Sequence, residues 1–348
     1  MISYYPPTSH SGTQPGSINT SYHKFVYADV YPNFTGNLGI LDWYSCLLAS
    51  EDVYADLQHF IRSVDHVVVV SGEEFWPMHT TSRANAQLIL DQLTDYSIIY
   101  HCGEHVRIQS LGVPCTYQPW FCRMPVTDYD YTPGERDYDF ACLMGKTRVI
   151  RDRVADAMRD YNCLLNYIGR DHSLTDHNLN SETVAGYMHN DSNMPVVYSD
   201  QGSSIYQPGD NFDLSGVAPV DVYDQSHMDV IVETFPRNEF TDSVLLTEKT
   251  ARSLAHGRLF RTLGHTGYLG ELIRCGFEPY PIWRSNHDVG TQQDCFDSFI
   301  SDLDEYSGND FDMLYDECAR ELQHNKEVYQ YLIKNYPNRI HKHFELIK

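Results

Sequence analysis

A chain of 348 residues is too long for one ordinary hydrophobic core and points to two domains. Its composition, 42% hydrophobic and 21% charged, is that of a globular protein and excludes a fibrous or wholly disordered one. With 48 acidic against 25 basic residues the formal net charge is −23, a field that repels polyanions and weighs against tight nucleic-acid binding through phosphate neutralisation.

Residues 1–22 are rich in Ser, Pro, Gly and Tyr and read as a surface arm ahead of an N-terminal α/β domain over 23–133. They lack a basic start followed by an apolar stretch, so no secretory leader is expected. No run of about 18 apolar residues occurs, so no membrane span is expected. The mostly apolar run 38–48 opens the first domain. Apolar residues at Val53, Tyr54, Leu57, Phe60, Ile61 and Val64 then recur at helical spacing. The β-branched run 67–70, closed by Ser71 and Gly72, has the pattern of a buried parallel strand. A helix over 82–93 follows, with Ala84, Leu88, Ile89 and Leu93 on one side, and then a strand over 97–100. Such alternation implies a parallel sheet covered on both faces.

Residues 124–139, with Pro125, Pro133, Gly134 and clustered Asp and Tyr, break the alternation and read as a linker. A second α/β domain is expected over 134–315. It opens with a strand over 140–144, a tight turn over 145–147 and a helix over 148–161 with its apolar face at Ile150, Val154, Ala157, Met158 and Tyr161. Residues 171–225 are polar and too long for an ordinary connection, so they read as a functional excursion or a disordered segment. Order returns with an apolar strand over 228–232 that ends at Glu233. Thr247 is suited to cap a helix through Ala251, Leu254 and Ala255, with Gly257 as its stop. A strand over 259–263 and a short helix over 267–275, stopped by Gly276, follow. Residues 286–319 carry many acids and no Lys or Arg. From Phe311 onward Leu314, Leu322, Val328, Tyr331 and Leu332 mark helical character, and 316–348 reads as a C-terminal helical tail.

Nine scattered cysteines without a CxxC pair argue against a disulfide framework or a structural zinc site. They read as buried reduced thiols, which fits a cytoplasmic protein. No HExxH, GxSxG or GxxxxGK[ST] pattern occurs. The pairs Asp128/Asp130 and Asp137/Asp139 have a metal-binding spacing but lie in the linker and read as solvated, so no metal is expected. The stretch 229–280 is more informative. A strand ends in Glu233, a loop follows, and a helix opens with Thr247, Glu248, Lys249 and Thr250. A nucleotide-sugar needs a carboxylate for its ribose hydroxyls and a cation beside a helix N-terminus for its diphosphate. Glu248 and Lys249 supply both, and Glu233 sits at the carboxyl end of a strand, where open α/β sheets bind ligands. Taken in isolation, a Glu in a first helical turn is also ordinary dipole compensation, and the following Lys is ordinary surface.

The same stretch resembles the donor-binding region of GT-B glycosyltransferases, in particular the fucosyltransferase-like group and a set of phage-encoded relatives. The residues that carry the resemblance are Glu233-Thr234, Thr247-Glu248-Lys249-Thr250, Gly257 with Leu259-Phe260, Gly267 through Leu272, and Gly276-Phe277. The match is close over 229–280 and looser over 139–161. It implies an α/β fold of two Rossmann-like domains facing a cleft, with C-terminal helices. It also implies that Glu248 holds the donor ribose and Lys249 the diphosphate, with Glu233 and Thr247 in the same donor site. Arg151, with Arg148 close behind, matches the family's diphosphate-gripping Arg, which steadies the leaving group. One departure is Arg258, where relatives carry a small or apolar pair after the helix-stop glycine.

The implied reaction is displacement at the anomeric carbon of a nucleotide-sugar, which serves as co-substrate with no further cofactor. An acceptor hydroxyl attacks while a general base takes its proton. Glu73, after the strand 67–70, is the candidate base, with Glu74 and Glu104 as alternatives. The acceptor is a glycan, a protein or a hydroxylated base in phage DNA, the phage case implying the host cytoplasm. The alternative is a catalytically inactive virion or binding protein that kept the fold.

Overall fold

In the computed structural model the chain forms two compact units, Met1–Arg123 with Asp242–Leu245 and Tyr331–Lys348, and Met124–Thr241 with Leu246–Gln330. The division falls between Arg123 and Met124, so the expected linker belongs to the second unit. The structure describes residues 2–5, 36–43, 51–71, 80–93, 95–100, 108–117, 131–132, 134–144, 149–168, 174–177, 220–233, 244, 246–264, 267–280 and 291–346. The fold class is α/β, built on two five-stranded sheets.

The first sheet is parallel throughout and runs β1 (Ile2–Tyr5), β2 (Leu38–Asp42), β3 (His66–Ser71), β4 (Tyr96–Tyr100) and β5 (Cys115–Tyr117). Strand order in space follows strand order in the chain. Helix α1 (Glu51–Arg62) links β2 to β3, and α2 (Thr80–Gln92) links β3 to β4. Val67 and Val69 of β3 pack in one cluster with Leu57 and Phe60 of α1 and with Ala86, Ile89 and Leu90 of α2. Both helices therefore cover one face, as right-handed crossovers that all step in one direction require. Ile40, Val68 and Val70, pointing to the other face, are buried as well.

In this sheet Ile2–Tyr5 and Cys115–Tyr117 depart from the sequence reading. Ile2–Tyr5, expected within a surface arm, pair with Leu38–Leu41. Cys115–Tyr117 form a fifth strand whose three half-buried residues carry no alternation for a period to reveal.

The second sheet has β6 (Tyr138–Met144), β7 (Cys163–Ile168), β8 (Leu174–His177), β9 (Ser226–Val232) and β10 (Phe260–Leu263) in the order β10-β9-β6-β7-β8. Only β8 runs antiparallel to its neighbour. Read from β8, this is the third, second, first, fourth and fifth strand of the unit, so the winding reverses between β6 and β9. That order is the one found in dinucleotide-binding α/β sheets. Helix α3 (Val149–Met158) follows β6, α4 (Val220–Gln225) precedes β9, α5 (Glu248–His256) follows β9 and α6 (Tyr268–Arg274) follows β10. Strand β8 and helix α4 fall inside 171–225, which the sequence reading had as loop throughout; residues 178–219 lie outside the described residues.

Helices α7 (Gln292–Tyr306), α8 (Phe311–Glu317) and α9 (Ala319–Leu346) complete the chain. The acid-rich stretch thus holds a full helix. Cys295, Phe299, Leu303 and Tyr306 form its buried stripe, while Asp297, Asp304 and Glu305 are exposed. Thr291 and Asp294 close a capping box at its start. Helix α9 is continuous, yet it belongs to the second unit up to Gln330 and to the first from Tyr331.

The second sheet has a charged interior. Arg258, fully buried, donates from Nε and Nη2 to Asp229 Oδ1 at 3.1 and 3.0 Å, and its other N–H groups reach the carbonyls of Tyr223 and Ser226. Ser253 of α5 donates to the second Asp229 oxygen at 2.6 Å. Burial opposes the guanidinium charge most strongly, but Asp229, Tyr315 and Tyr223 together outweigh it and hold the Arg258 pKa above its usual value. Arg258 is thus the centre of a knot joining α4, β9 and α5. On β10, Arg261 pairs with Asp302 of α7. Asp229 and Val230 point to opposite faces, and Arg261 is the register partner of Val230, so α5 and α7 cover opposite faces.

Candidate functional site

Ligands of open α/β sheets bind outside the carboxyl ends of the strands, where the order reverses. Here that point lies beyond Met144 of β6 and Val232 of β9, where the chain leads into α3 and α5. Arg151 lies in the first turn of α3. It is 3% exposed, and its Nη2 donates to the carbonyl of Val232, the last residue of β9, at 3.2 Å. The guanidinium therefore ties the start of α3 to the end of β9 at the reversal.

The start of α5 is built by local chemistry. Thr247 adopts an extended backbone and its hydroxyl accepts from the Lys249 N–H at 3.4 Å, the geometry of an N-cap. The helix ends at Gly257 in the left-handed conformation, φ 63°, with its N–H turned back onto the Leu254 carbonyl at 3.4 Å. Both boundaries agree with the sequence reading. Lys249 is half-buried, and its Nζ approaches Thr247 Oγ1 at 3.4 Å. The first turn presents the positive end of the helix dipole, to which Lys249 adds a cation.

Glu233, expected to face a donor, is turned inward instead. It is fully buried. Its Oε2 accepts from Thr247 Oγ1 at 2.6 Å, and its Oε1 accepts from Thr250 Oγ1 at 2.7 Å and from the Thr247 N–H at 3.4 Å. Its own N–H donates to Leu263 at 3.0 Å and prolongs the β9–β10 ladder by one residue. The carboxylate ends up under α5 because it points to the same sheet face as Asp229, four residues earlier, which α5 covers. Beneath it, Tyr268 makes a close hydrogen bond with Thr250, and Thr262 donates to Tyr268 at 3.4 Å. Burial, and after it the nearby Glu233 carboxylate, raise the Tyr268 pKa, so the phenol stays protonated. Gly264 makes room for that ring, since a Cβ there would lie 2.8 Å from Tyr268 Cδ2.

The structure thus brings Arg151, Glu233, Thr247 and Lys249 to one end of the second sheet. Glu248 opens α5, but its side chain lies outside the described residues, as do Arg148, Glu73, Glu74 and Glu104. Sequence reasoning missed Thr250 as a partner of Glu233, although its spacing from Thr247 sets both hydroxyls on one helical face. It also missed Tyr268 and Thr262, which no local signal ties to Glu233. The nearby Cys142 thiol is pushed up to about 12 by burial, which removes it as a nucleophile.

Asp139, half of an Asp-x-Asp pair, accepts from the Gly308 N–H at 2.8 Å and holds the end of α7. Asp137 is exposed, and Asp128 and Asp130 lie outside the described residues. Among the described residues no group of three His, Cys, Asp or Glu could hold a metal ion, and no helix is long and apolar enough to cross a membrane. Six cysteines are described and all are free thiols; Cys46, Cys102 and Cys122 lie outside the described residues. An open depression of about 540 Å³ lies at the opposite end of the second sheet, lined by Arg136, His227 and Asp312 among others. It adjoins the amino ends of β6 and β9 and shares no residue with the switch-point cluster.

No family model matches this chain, and neither a curated protein nor a solved structure matches it.

Proposed function

We propose that this chain is a glycosyltransferase that takes a sugar from a nucleotide-sugar and transfers it to an acceptor hydroxyl, with the donor diphosphate held at the switch point of the second sheet. One observation carries the reading: a buried Arg on α3 and a Lys on the first turn of α5 both lie at the end of the second sheet where the strand order reverses. A diphosphate is recognised by such a set, a guanidinium fork, an ammonium and a helix N-terminus. When the bond from the anomeric carbon to the diphosphate breaks, negative charge grows on the leaving phosphate, and the same cations stabilise it. In this reading the two units are the acceptor and donor halves of a GT-B enzyme. Glu248 binds the ribose and Glu73 takes the acceptor's proton. The acceptor is a glycan, a protein hydroxyl or a hydroxylated DNA base.

The test is a thermal-shift screen of the full chain against UDP, GDP and their sugars. A ligand at a hundred times its Kd adds about 2.7 kcal/mol of stability. Stabilisation by one nucleotide, lost in Lys249→Ala and in Glu248→Ala while their unliganded melting stays that of the parent, is the expected result. No shift with any nucleotide would instead favour a binding or virion protein that shares the architecture.

A further inference from the structure

We propose that Glu233 is a positioning residue that aims the first turn of α5, and with it Lys249, at the switch-point crevice; this rests on the nucleotide-binding reading above. The backbone of Glu233 is part of the sheet, because its N–H is paired to Leu263. Its side chain is fully buried, with both carboxylate oxygens engaged by groups of α5 and its cap. It is therefore a rigid strut between the end of β9 and the start of the helix.

The strut also sets hydrogen-bond direction. A carboxylate only accepts, so the Thr247 hydroxyl spends its single proton on Glu233 Oε2. What remains on Thr247 Oγ1 are lone pairs, and the two donors that approach them are the backbone N–H and the Nζ of Lys249, each at 3.4 Å. The order runs from sheet to Glu233, to Thr247, to Lys249. On the other side Thr250 gives its proton to Glu233 and so accepts from Tyr268, which in turn accepts from Thr262. Every proton in this chain of hydroxyls points toward one buried carboxylate. An amide at the same position would present two N–H donors to a hydroxyl already arranged to donate, and would reverse part of the chain without changing its shape. Buried polar networks of this kind are costly to satisfy only in part.

The experiment is a double-mutant cycle on the full chain. Titration calorimetry with GDP and UDP as probes is run on the parent, Glu233→Gln, Lys249→Ala and the double variant. Lys249→Ala weakens nucleotide binding about tenfold in the parent and less than about twofold in the Glu233→Gln background, because the lysine is no longer aimed there. A residue that only stabilised the fold would leave the cost of Lys249→Ala equal in both backgrounds, and that result overturns the proposal. Hydrogen exchange gives a second reading that needs no ligand. In Glu233→Gln the amides of 247–251 exchange about tenfold faster, while the rest of α5 and the first sheet keep their protection. Unchanged exchange in that turn overturns the proposal. If Glu233→Gln does not fold, Thr250→Val removes one donor at constant shape, and the same two readouts apply with smaller changes. If the parent binds neither nucleotide, the nucleotide-binding reading falls, and the exchange result alone decides whether the strut exists.

Discussion

The two sheets have the same number of strands, yet they are held together differently. In the first, strand order follows chain order, both helices cover one face, and the buried polar residues among those described are two serines, Ser71 and Ser97. In the second the order reverses, helices cover both faces, and every buried charged residue among those described belongs to this unit. Arg258 with Asp229 ties the far end of α5 to α4 and β9, and Glu233 ties its near end to the last turn of the strand. The contrast has a physical cause. A sheet wound in one direction closes by apolar interdigitation alone. A reversal parts two neighbouring loops and opens a crevice between them, so the helix bordering it needs fixed, directional anchors rather than sliding apolar contact. Buried charges supply direction, because their partners must sit at defined angles and distances.

The sharpest way to break this comparison is Asp229→Ala. It leaves the Arg258 charge buried without its carboxylate and should cost about 3–5 kcal/mol in urea unfolding of the second unit. A loss below about 1 kcal/mol would mean that the knot is ornamental and that apolar packing holds both sheets. Gly39→Ala probes the other side. A Cβ there would lie 2.9 Å from Phe60 Cζ and from Val64 Cγ2, so α1 has to move off the sheet. The expected cost is about 1–3 kcal/mol, felt in the first unit and read from the same unfolding curves. No change in that unit would show that its helices ride loosely on the sheet.

The smallest effect concerns pH. His227 stands at the start of β9, stacked on Phe311 with ring centroids 4.7 Å apart. Burial first, and Arg136 next, hold its pKa below the ordinary 6.5, against the opposing pull of Asp312 and Asp139. As pH falls through the ordinary value, the unfolded chain takes up the proton before the folded one. Stability is therefore fully present above that pH and declines below it until the folded pKa is passed. Urea midpoints compared at about pH 7.5 and pH 5.5 should drop less for His227→Gln than for the parent. An equal drop would remove His227 as a source of acid sensitivity in the second sheet.

Some of this was open to reading in the chain itself. The limits of α5 followed from Thr247 and Gly257, because a cap is made between residues a few positions apart. The strands at 67–70 and 228–232 followed from apolar runs, the second broken only by Asp229. The helix Gln292–Tyr306 was hidden by its acids, although its buried stripe was present, and the strands Cys163–Ile168 and Cys115–Tyr117 had no distinctive period. Other features had no local signature at all. That Arg258 reaches back 29 positions to Asp229, that Glu233 turns under α5 rather than outward, and that β9 lies beside β6 instead of β8 depend on which surfaces meet after the chain has crossed the sheet. Sequence alone determined the elements that carry a cap or an apolar run, because propensity, capping and periodicity act within one or two turns. Only the tertiary structure decided the order of the strands and the partner of each buried charge, because a charge taken out of water has to find its counterpart wherever the packing brings one.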